Sequence, residues 1–293
     1  MSLFLRITRA LLRRATKFLS PAPSGDRAPL PLRAAEYRGY LQRLEADPAS
    51  REYLQRHLDR LVRTLTLVPA PGPDGRVLEL GCYMQMTPAL KQITGYTEVA
   101  GAYYGAAGQS GEQAARMEGK EVFRCRIDLF DAEKDRFPYP DSHFELVLAC
   151  EILEHLLRDP MHMLIEIHRI LHDGGRLILT TPNCASHTSL ARLLHGRGNP
   201  QMFSCYSRRA PDDAPHVREY AAHEVGDTLR SAGFEIEWLF TEPIAGFEEG
   251  KWVSGFLAEH GFETGLRGEQ TYCVARKRPG FPVERYPAFL YTS

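Results

Sequence analysis

Long apolar runs are the first thing this chain lacks: nothing in it approaches the roughly 18–20 uncharged residues that a membrane-spanning helix requires, so it is not expected to span a bilayer. Organised cysteine is missing too. Cys82, Cys125, Cys150, Cys184, Cys205 and Cys273 form no C-x-x-C pair and repeat no spacing, which argues against a disulfide framework and a zinc site alike and makes a reducing, cytoplasmic setting the expected one. Charge of one sign is also scarce. Lys and Arg (36) nearly balance Asp and Glu (37), so no bulk field advertises nucleic acid or an acidic polymer, and any basic function must be local.

What is present suffices for one catalytic-sized unit, since 293 residues lie near the limit of about 250–300 at which single cores stop growing. Residues 3–19 set Leu3, Phe4, Ile7, Leu11, Leu12, Ala15, Phe18 and Leu19 on one half of a helical wheel and Arg6, Arg9, Arg13 and Lys17 on the other, with no acid before Asp26. A basic amphipathic helix over 1–20 suits an anionic lipid surface and a peripheral place at the inner face of a membrane. A terminal helix docked on its own domain reads equally well, and an organelle transit peptide is a third reading. Prolines at 21, 23, 29 and 31 make residues 21–32 a linker. Residues 33–68 carry two helical stripes, Tyr37, Tyr40, Leu41, Leu44 and then Leu54, Leu58, Leu61, Val62, Leu65, expected to be helices covering one edge of a sheet.

From 75 to 277 short apolar runs alternate with helical periodicity. Val77–Leu80, Val99–Ala102, Val122–Ile127, Phe144–Ala149 and Leu177–Thr180 read as strands with helices between them. Phe234–Phe240 and Gln270–Ala275, after a helix at about Glu219–Ser231, complete a seven-stranded, mostly parallel, doubly wound α/β sheet. In such a sheet ligands bind beyond the carboxyl ends of the strands, where strand order reverses. The loops after the first four strands are therefore where chemistry is sought. An aromatic tail, 278–293, closes the chain.

The first of those loops reads Val77-Leu-Glu-Leu-Gly-Cys-Tyr-Met-Gln-Met-Thr-Pro-Ala-Leu90, with Thr87 and Pro88 as an N-cap and first-turn pair. Its Glu79-Leu-Gly81 resembles the first motif of class I S-adenosylmethionine (SAM) dependent methyltransferases. Later, Phe144-Glu-Leu-Val-Leu-Ala-Cys-Glu-Ile-Leu-Glu-His155, Leu164-Ile-Glu-Ile-His-Arg-Ile-Leu171 and Gly174-Gly-Arg-Leu-Ile-Leu-Thr-Thr-Pro-Asn183 resemble that family's fourth strand, following helix, Gly-Gly turn and fifth strand, in the manner of the ubiquinone-pathway O-methyltransferases. The resemblance covers 75–277. It implies a Rossmann-like fold, SAM as cofactor, methyltransferase activity (EC 2.1.1), and a cofactor site at Glu79, Gly81, Cys82, Tyr83, Tyr103, Asp128, Leu129 and Cys150, with Asp128 on the adenine amino group. Two departures stand out. Tyr83 and Gln85 occupy the places of the family's further glycines, and Tyr103 that of the carboxylate that holds both ribose hydroxyls; side chains there restrict backbone approach and positive φ, and one phenol oxygen cannot receive two hydroxyls as a carboxylate does.

Methyl transfer from a sulfonium demands alignment and, for a hydroxyl acceptor, proton removal. Glu151, Glu154 and His155 have the i, i+3, i+4 spacing that brings side chains to one helix face, and His216 lies in the late cluster Pro215-His-Val-Arg-Glu-Tyr220. His155, Glu151 and His216 are the catalytic candidates. The resemblance extends to terminal 2′-O-methyltransferases of small RNAs, and implies a divalent ion such as Mg²⁺ on Glu151, Glu154, His155 and His216; His155 as a metal-free base, or in a merely local hydrogen bond, is the other reading. The insert 183–215 is expected to bind the acceptor. Its few basic residues, diluted by Asp212 and Asp213, make no phosphate-tracking stripe, so a sugar, glycan, lipid-linked or small phenolic acceptor is expected rather than nucleic acid. A lapsed, methyltransferase-like binding protein is the alternative raised by the two departures, whereas a nicotinamide dehydrogenase lacks its pyrophosphate glycines.

Overall fold

The computed structural model describes residues 33–46, 48–198, 215–246 and 249–292. The expectations for residues 3–19 and 21–32, and for the centre of the insert, lie outside the described residues. The described strands are β1 (Arg76–Leu80), β2 (Glu98–Tyr103), β3 (Ser110–Met117), β4 (Lys120–Leu129), β5 (Phe144–Cys150), β6 (Leu171–Pro182), β7 (Phe234–Glu242) and β8 (Gln270–Lys277). They form one sheet in the order β3-β4-β2-β1-β5-β6-β8-β7. β4, β2, β1, β5 and β6 are parallel, and β8 pairs antiparallel with both β6 and β7. All seven expected strands are therefore present.

The eighth strand corrects the expected helix between the second and third sequence strands. Ser110–Met117 pairs antiparallel with β4 through a turn at Glu118 and Gly119, whose φ values are 50° and 76°. Two successive left-handed residues give the hairpin turn whose twist suits the flanking strands. The strand escaped the sequence because it lies at the sheet edge and is mostly exposed; with no buried face, it needs no alternation of apolar side chains.

The described α-helices are α1 (Ala34–Arg43), α2 (Pro48–Thr66), α3 (Thr87–Ala89), α4 (Pro160–Ile170), α5 (His187–Leu194), α6 (Ala222–Ser231) and α7 (Val253–Glu259). Leu164, Ile167 and Ile170 of α4 and Val225 and Leu229 of α6 pack on one sheet face with Leu78, Leu80, Val147 and Leu177. Leu41, Leu61 and Leu65 of α1 and α2 pack on the other with Val77, Leu146, Leu148 and Ile178. The two N-terminal helices thus cover a face rather than an edge, because their stripes find the central strands; each fully buried leucine contributes about 1.5–3 kcal/mol. Period-two alternation along β1 sends Leu78 and Leu80 to the α4 side and Val77 and Glu79 to the α2 side. The tail docks as well: Arg285 and the Tyr291 hydroxyl both bond Asp159, which also caps α4 by accepting from the His162 amide. No helix among the described residues is long and apolar enough to cross a membrane.

Candidate functional site

The carboxyl edge of the parallel strands gathers the expected residues. Gly81, at φ 67°, turns the chain off β1 in a left-handed conformation that glycine adopts without strain. Tyr103 ends β2 opposite Leu129 of β4, and the Phe130 amide donates to the Tyr103 carbonyl at 3.2 Å. Asp128, buried, accepts from Arg126 Nε at 2.6 Å. Cys150 closes β5, and burial pushes its thiol up to about 12.

Not every expected cofactor residue faces the open edge. Glu79 is buried, and its carboxylate accepts from the Thr87 hydroxyl, to which the Cys82 thiol is also hydrogen-bonded at 3.0 Å. Burial, and then the Cys82 thiol, hold the Glu79 carboxyl well above the usual carboxylate range. Both residues brace the loop from beneath. Thr87 correspondingly does not cap a helix. Its hydroxyl is committed to Glu79, Met86 takes the N-cap place with no side-chain cap, and α3 passes into a wide turn at Leu90–Thr94. Above the loop, Tyr103 donates to the Tyr83 hydroxyl at 2.9 Å, with the rings edge to face at 5.2 Å. Met84 takes φ 59°, a conformation rare outside glycine and evidence that the glycine-poor loop holds a backbone suited to glycine. A cavity of about 350 Å³ lies beside this loop, lined in part by Tyr83, Gln85 and Tyr103.

The Glu-x-x-Glu-His expectation is divided by the structure. The chain after β5 does not enter an α-helix: Glu151 is left-handed at φ 55°, and a single 3₁₀ turn spans Leu153–His155. The i, i+3, i+4 geometry is therefore lost. Glu151 turns to the sheet, where its Oε1 accepts from Thr180 and Gln270, each at 2.8 Å. Glu154, His155 and His216 do converge, with one ligand atom from each lying within 4.8 Å of the others. The strand-like contact that creates this group is the pair of amides Val217 and Arg218 donating to the Glu154 carbonyl, at 2.8 and 3.3 Å. Because the Pro215 carbonyl can only accept, the Nδ1 of His155 at 3.3 Å donates to it, which in the neutral ring leaves the lone pair on Nε2. Likewise His216 Nδ1 meets the Glu219 carboxylate at 3.2 Å, and its Nε2 lies 4.0 Å from Glu154 Oε1. That oxygen is fully buried without a hydrogen-bond partner among the described residues, while Oε2 accepts from Thr181 at 2.9 Å. Burial, and then Glu151, push the Glu154 carboxyl well above its ordinary value. An orphaned carboxylate oxygen facing two imidazoles fits a divalent ion; with Glu151 outside the set, one oxygen and two nitrogens favour a softer ion than Mg²⁺.

The sequence reading missed a third contributor, α2. Its Tyr53, His57 and Arg60 follow one another at helical spacing beside the apolar stripe, a polar row that could have been noticed. Tyr53 lies 6.3 Å from the Tyr83 ring and 4.4 Å from His57. Arg60 reaches Glu151 at 3.8 Å.

A central parallel sheet with its ligand groups beyond β1, β2, β4 and β5 defines the class I methyltransferase arrangement. The chain matches the family model of a methyltransferase domain over residues 50–238, and it belongs to that family. It is 27% identical over 233 residues to 27-O-demethylrifamycin SV methyltransferase of Amycolatopsis mediterranei, covering 78% of this chain and 76% of that protein. It is 30% identical over 112 residues to a probable S-adenosylmethionine-dependent methyltransferase of Mycolicibacterium smegmatis, covering 38% of this chain and 37% of that one. The match therefore spans little more than a third of the mycobacterial relative. A SAM dependent methyltransferase from Archaeoglobus fulgidus has a similar fold, with a TM-score of 0.50 at 18% identity, over 79% of this chain and all of that one. The chain thus carries a methyltransferase domain, and the relatives it matches in part are named as SAM-dependent methyltransferases.

Proposed function

We propose that this enzyme methylates a hydroxyl on a sugar, glycan, lipid-linked or small phenolic acceptor. The observation that carries the reading is the convergence of Glu154, His155 and His216 immediately beyond β5, next to the cofactor edge. When bound, SAM supplies an electrophilic methyl group. The chain must orient the acceptor oxygen and take its proton. His155, with its Nδ1 proton anchored on Pro215, presents Nε2 as the base, and His216 is oriented in the same way by Glu219. The same three side chains would hold a divalent ion, which when bound polarises the hydroxyl. The relative from Amycolatopsis mediterranei, named for a reaction at an O-demethylated position, favours oxygen as the acceptor atom.

The acceptor is small or glycan-like rather than a nucleic acid, on the sparse basic residues of 183–215. The basic segment 3–19, outside the described residues, would bring the enzyme to an anionic membrane surface. Incubation with labelled SAM across hydroxylated sugars and quinone precursors, with and without excess chelator, tests the reading. Methyl transfer to a hydroxyl is expected; transfer confined to nitrogen or carbon acceptors would refute it, and full activity in chelator removes the metal. Deleting residues 1–20 is expected to abolish binding to anionic liposomes while leaving the melting transition intact; retained binding overturns the anchor.

A further inference from the structure

Beneath the β1 loop three sulfurs meet. Cys82 Sγ lies 3.9 Å and Cys125 Sγ 3.7 Å from Met84 Sδ, and the two thiols also hydrogen-bond each other. Cys82 is 2% and Cys125 7% exposed. The sheet builds this meeting. Cys82 follows β1 and Cys125 belongs to β4, and β2 runs between those strands, so the Cys82 side chain has to cross β2 to reach its partner. It crosses over Gly101, where a Cβ would stand 2.8 Å from Cys82 Sγ and press on the Ile127 side chain; a glycine inside a strand marks such a close approach. Two residues after Cys82, the left-handed φ of 59° at Met84 folds the loop so that its thioether returns to the thiols.

Thiolate and thioether are the soft ligands that select copper(I). A metal–sulfur bond of about 2.3 Å places three sulfurs around one ion about 4 Å apart, close to the spacing of the Met84 thioether from both thiols. Three such ligands suit a monovalent d¹⁰ ion, whereas structural zinc takes four and no thioether. The Thr87 hydroxyl is hydrogen-bonded to Cys82 Sγ at 3.0 Å and is itself held by Glu79, an outer contact of the kind that orients a metal ligand. The cavity of about 350 Å³ beside the loop is lined by both Cys82 and Met84 and supplies the entry path that a metal site needs.

We propose that Cys82, Cys125 and Met84 bind one copper(I) ion, which clips the β1 loop to β4. Binding releases the two thiol protons and changes no oxidation state; the two thiolates and the monocation leave a single negative charge, toward which the Thr87 hydroxyl can donate. Anaerobic titration of the reduced full chain with copper(I), in competition with bathocuproine disulfonate and followed by X-ray absorption at the copper edge, tests it. One equivalent is expected to be retained, with three sulfur neighbours at about 2.3 Å. Met84→Leu, which keeps the apolar bulk, is expected to fold, to lower the sulfur count to two and to weaken copper(I) by about tenfold or more, since even outer contacts of a metal site are worth about ten- to a hundredfold. Cys125→Ala is expected to abolish retention; Met84→Leu decides the matter if that variant does not fold. Nitrogen or oxygen neighbours, which would put the ion on Glu154, His155 and His216, overturn the assignment. Copper(I) surrendered wholly to the chelator overturns it too, as does unchanged affinity in either folded variant.

Discussion

The two sides of the cofactor edge are built differently. Beyond β5 and β6, strand ends, the 3₁₀ turn and the Pro215–Tyr220 segment lock together through backbone hydrogen bonds, and three reactive side chains meet in a small volume. Beyond β1, β2 and β4 stand the β3–β4 hairpin, a loop carrying Tyr83 and Gln85, and Tyr103 at the end of β2. One side gathers ionisable side chains, and the other presents paired phenols on a glycine-poor loop. On the proposed reading, the β5–β6 side would hold the methyl-transfer geometry and side chains on the β1–β2 side would set cofactor affinity, with α2 touching both.

The largest expected effect tests that division directly. His155→Ala should lower kcat by about 10²–10⁴, the usual worth of a positioned general base, while S-adenosylhomocysteine affinity by calorimetry stays within about twofold; a parallel loss of affinity would break the separation. Next, Asp128→Ala should weaken S-adenosylhomocysteine by about tenfold or more, since a charge-assisted hydrogen bond is worth roughly 1.5–3 kcal/mol. Unchanged affinity would place the nucleoside elsewhere. Tyr103→Phe removes a neutral hydroxyl, now donated to Tyr83, and should cost about two- to tenfold in the same titration; an effect as large as that of Asp128→Ala would mean that the phenol has taken over the carboxylate's whole role.

Legibility in the sequence follows the same division. The seven strands with a buried face were readable, because β1, β5 and the 177–181 stretch of β6 are largely buried and mostly apolar. β3 buries almost nothing, and its turn uses Glu118 before Gly119 in place of the more telling Asn or Asp. The site residues were mostly placed on the correct edge, since loops after parallel strands are topologically bound to it. Side-chain direction was not readable. Glu79 and Cys82 turned beneath the loop, and the left-handed φ of Glu151 broke the helical spacing on which its partnership with Glu154 depended. Arg60 is separated from Glu151 by most of the sheet's sequence, a long-range pairing that local patterns do not encode.

The smallest expected effect concerns the helix that joins the two sides. Burial, and then the neighbouring Arg60, lower the His57 imidazole to about 4, so it is neutral in the folded protein at pH values where an unfolded histidine, near 6.5, is charged. Between those values the unfolded chain binds the extra proton. The contribution of His57 is therefore fully present above about pH 6.5 and is lost as pH falls through about 4. The ring is only half-buried, so solvent screening reduces the loss to about 1 kcal/mol. Glu79 and Glu154, both held above the usual carboxylate range, titrate in the opposite sense, and the difference between wild type and His57→Gln isolates the histidine. Urea midpoints at pH 7.5 and 4.5 should fall less on acidification in the variant; an identical fall would show that α2 leaves His57 in water.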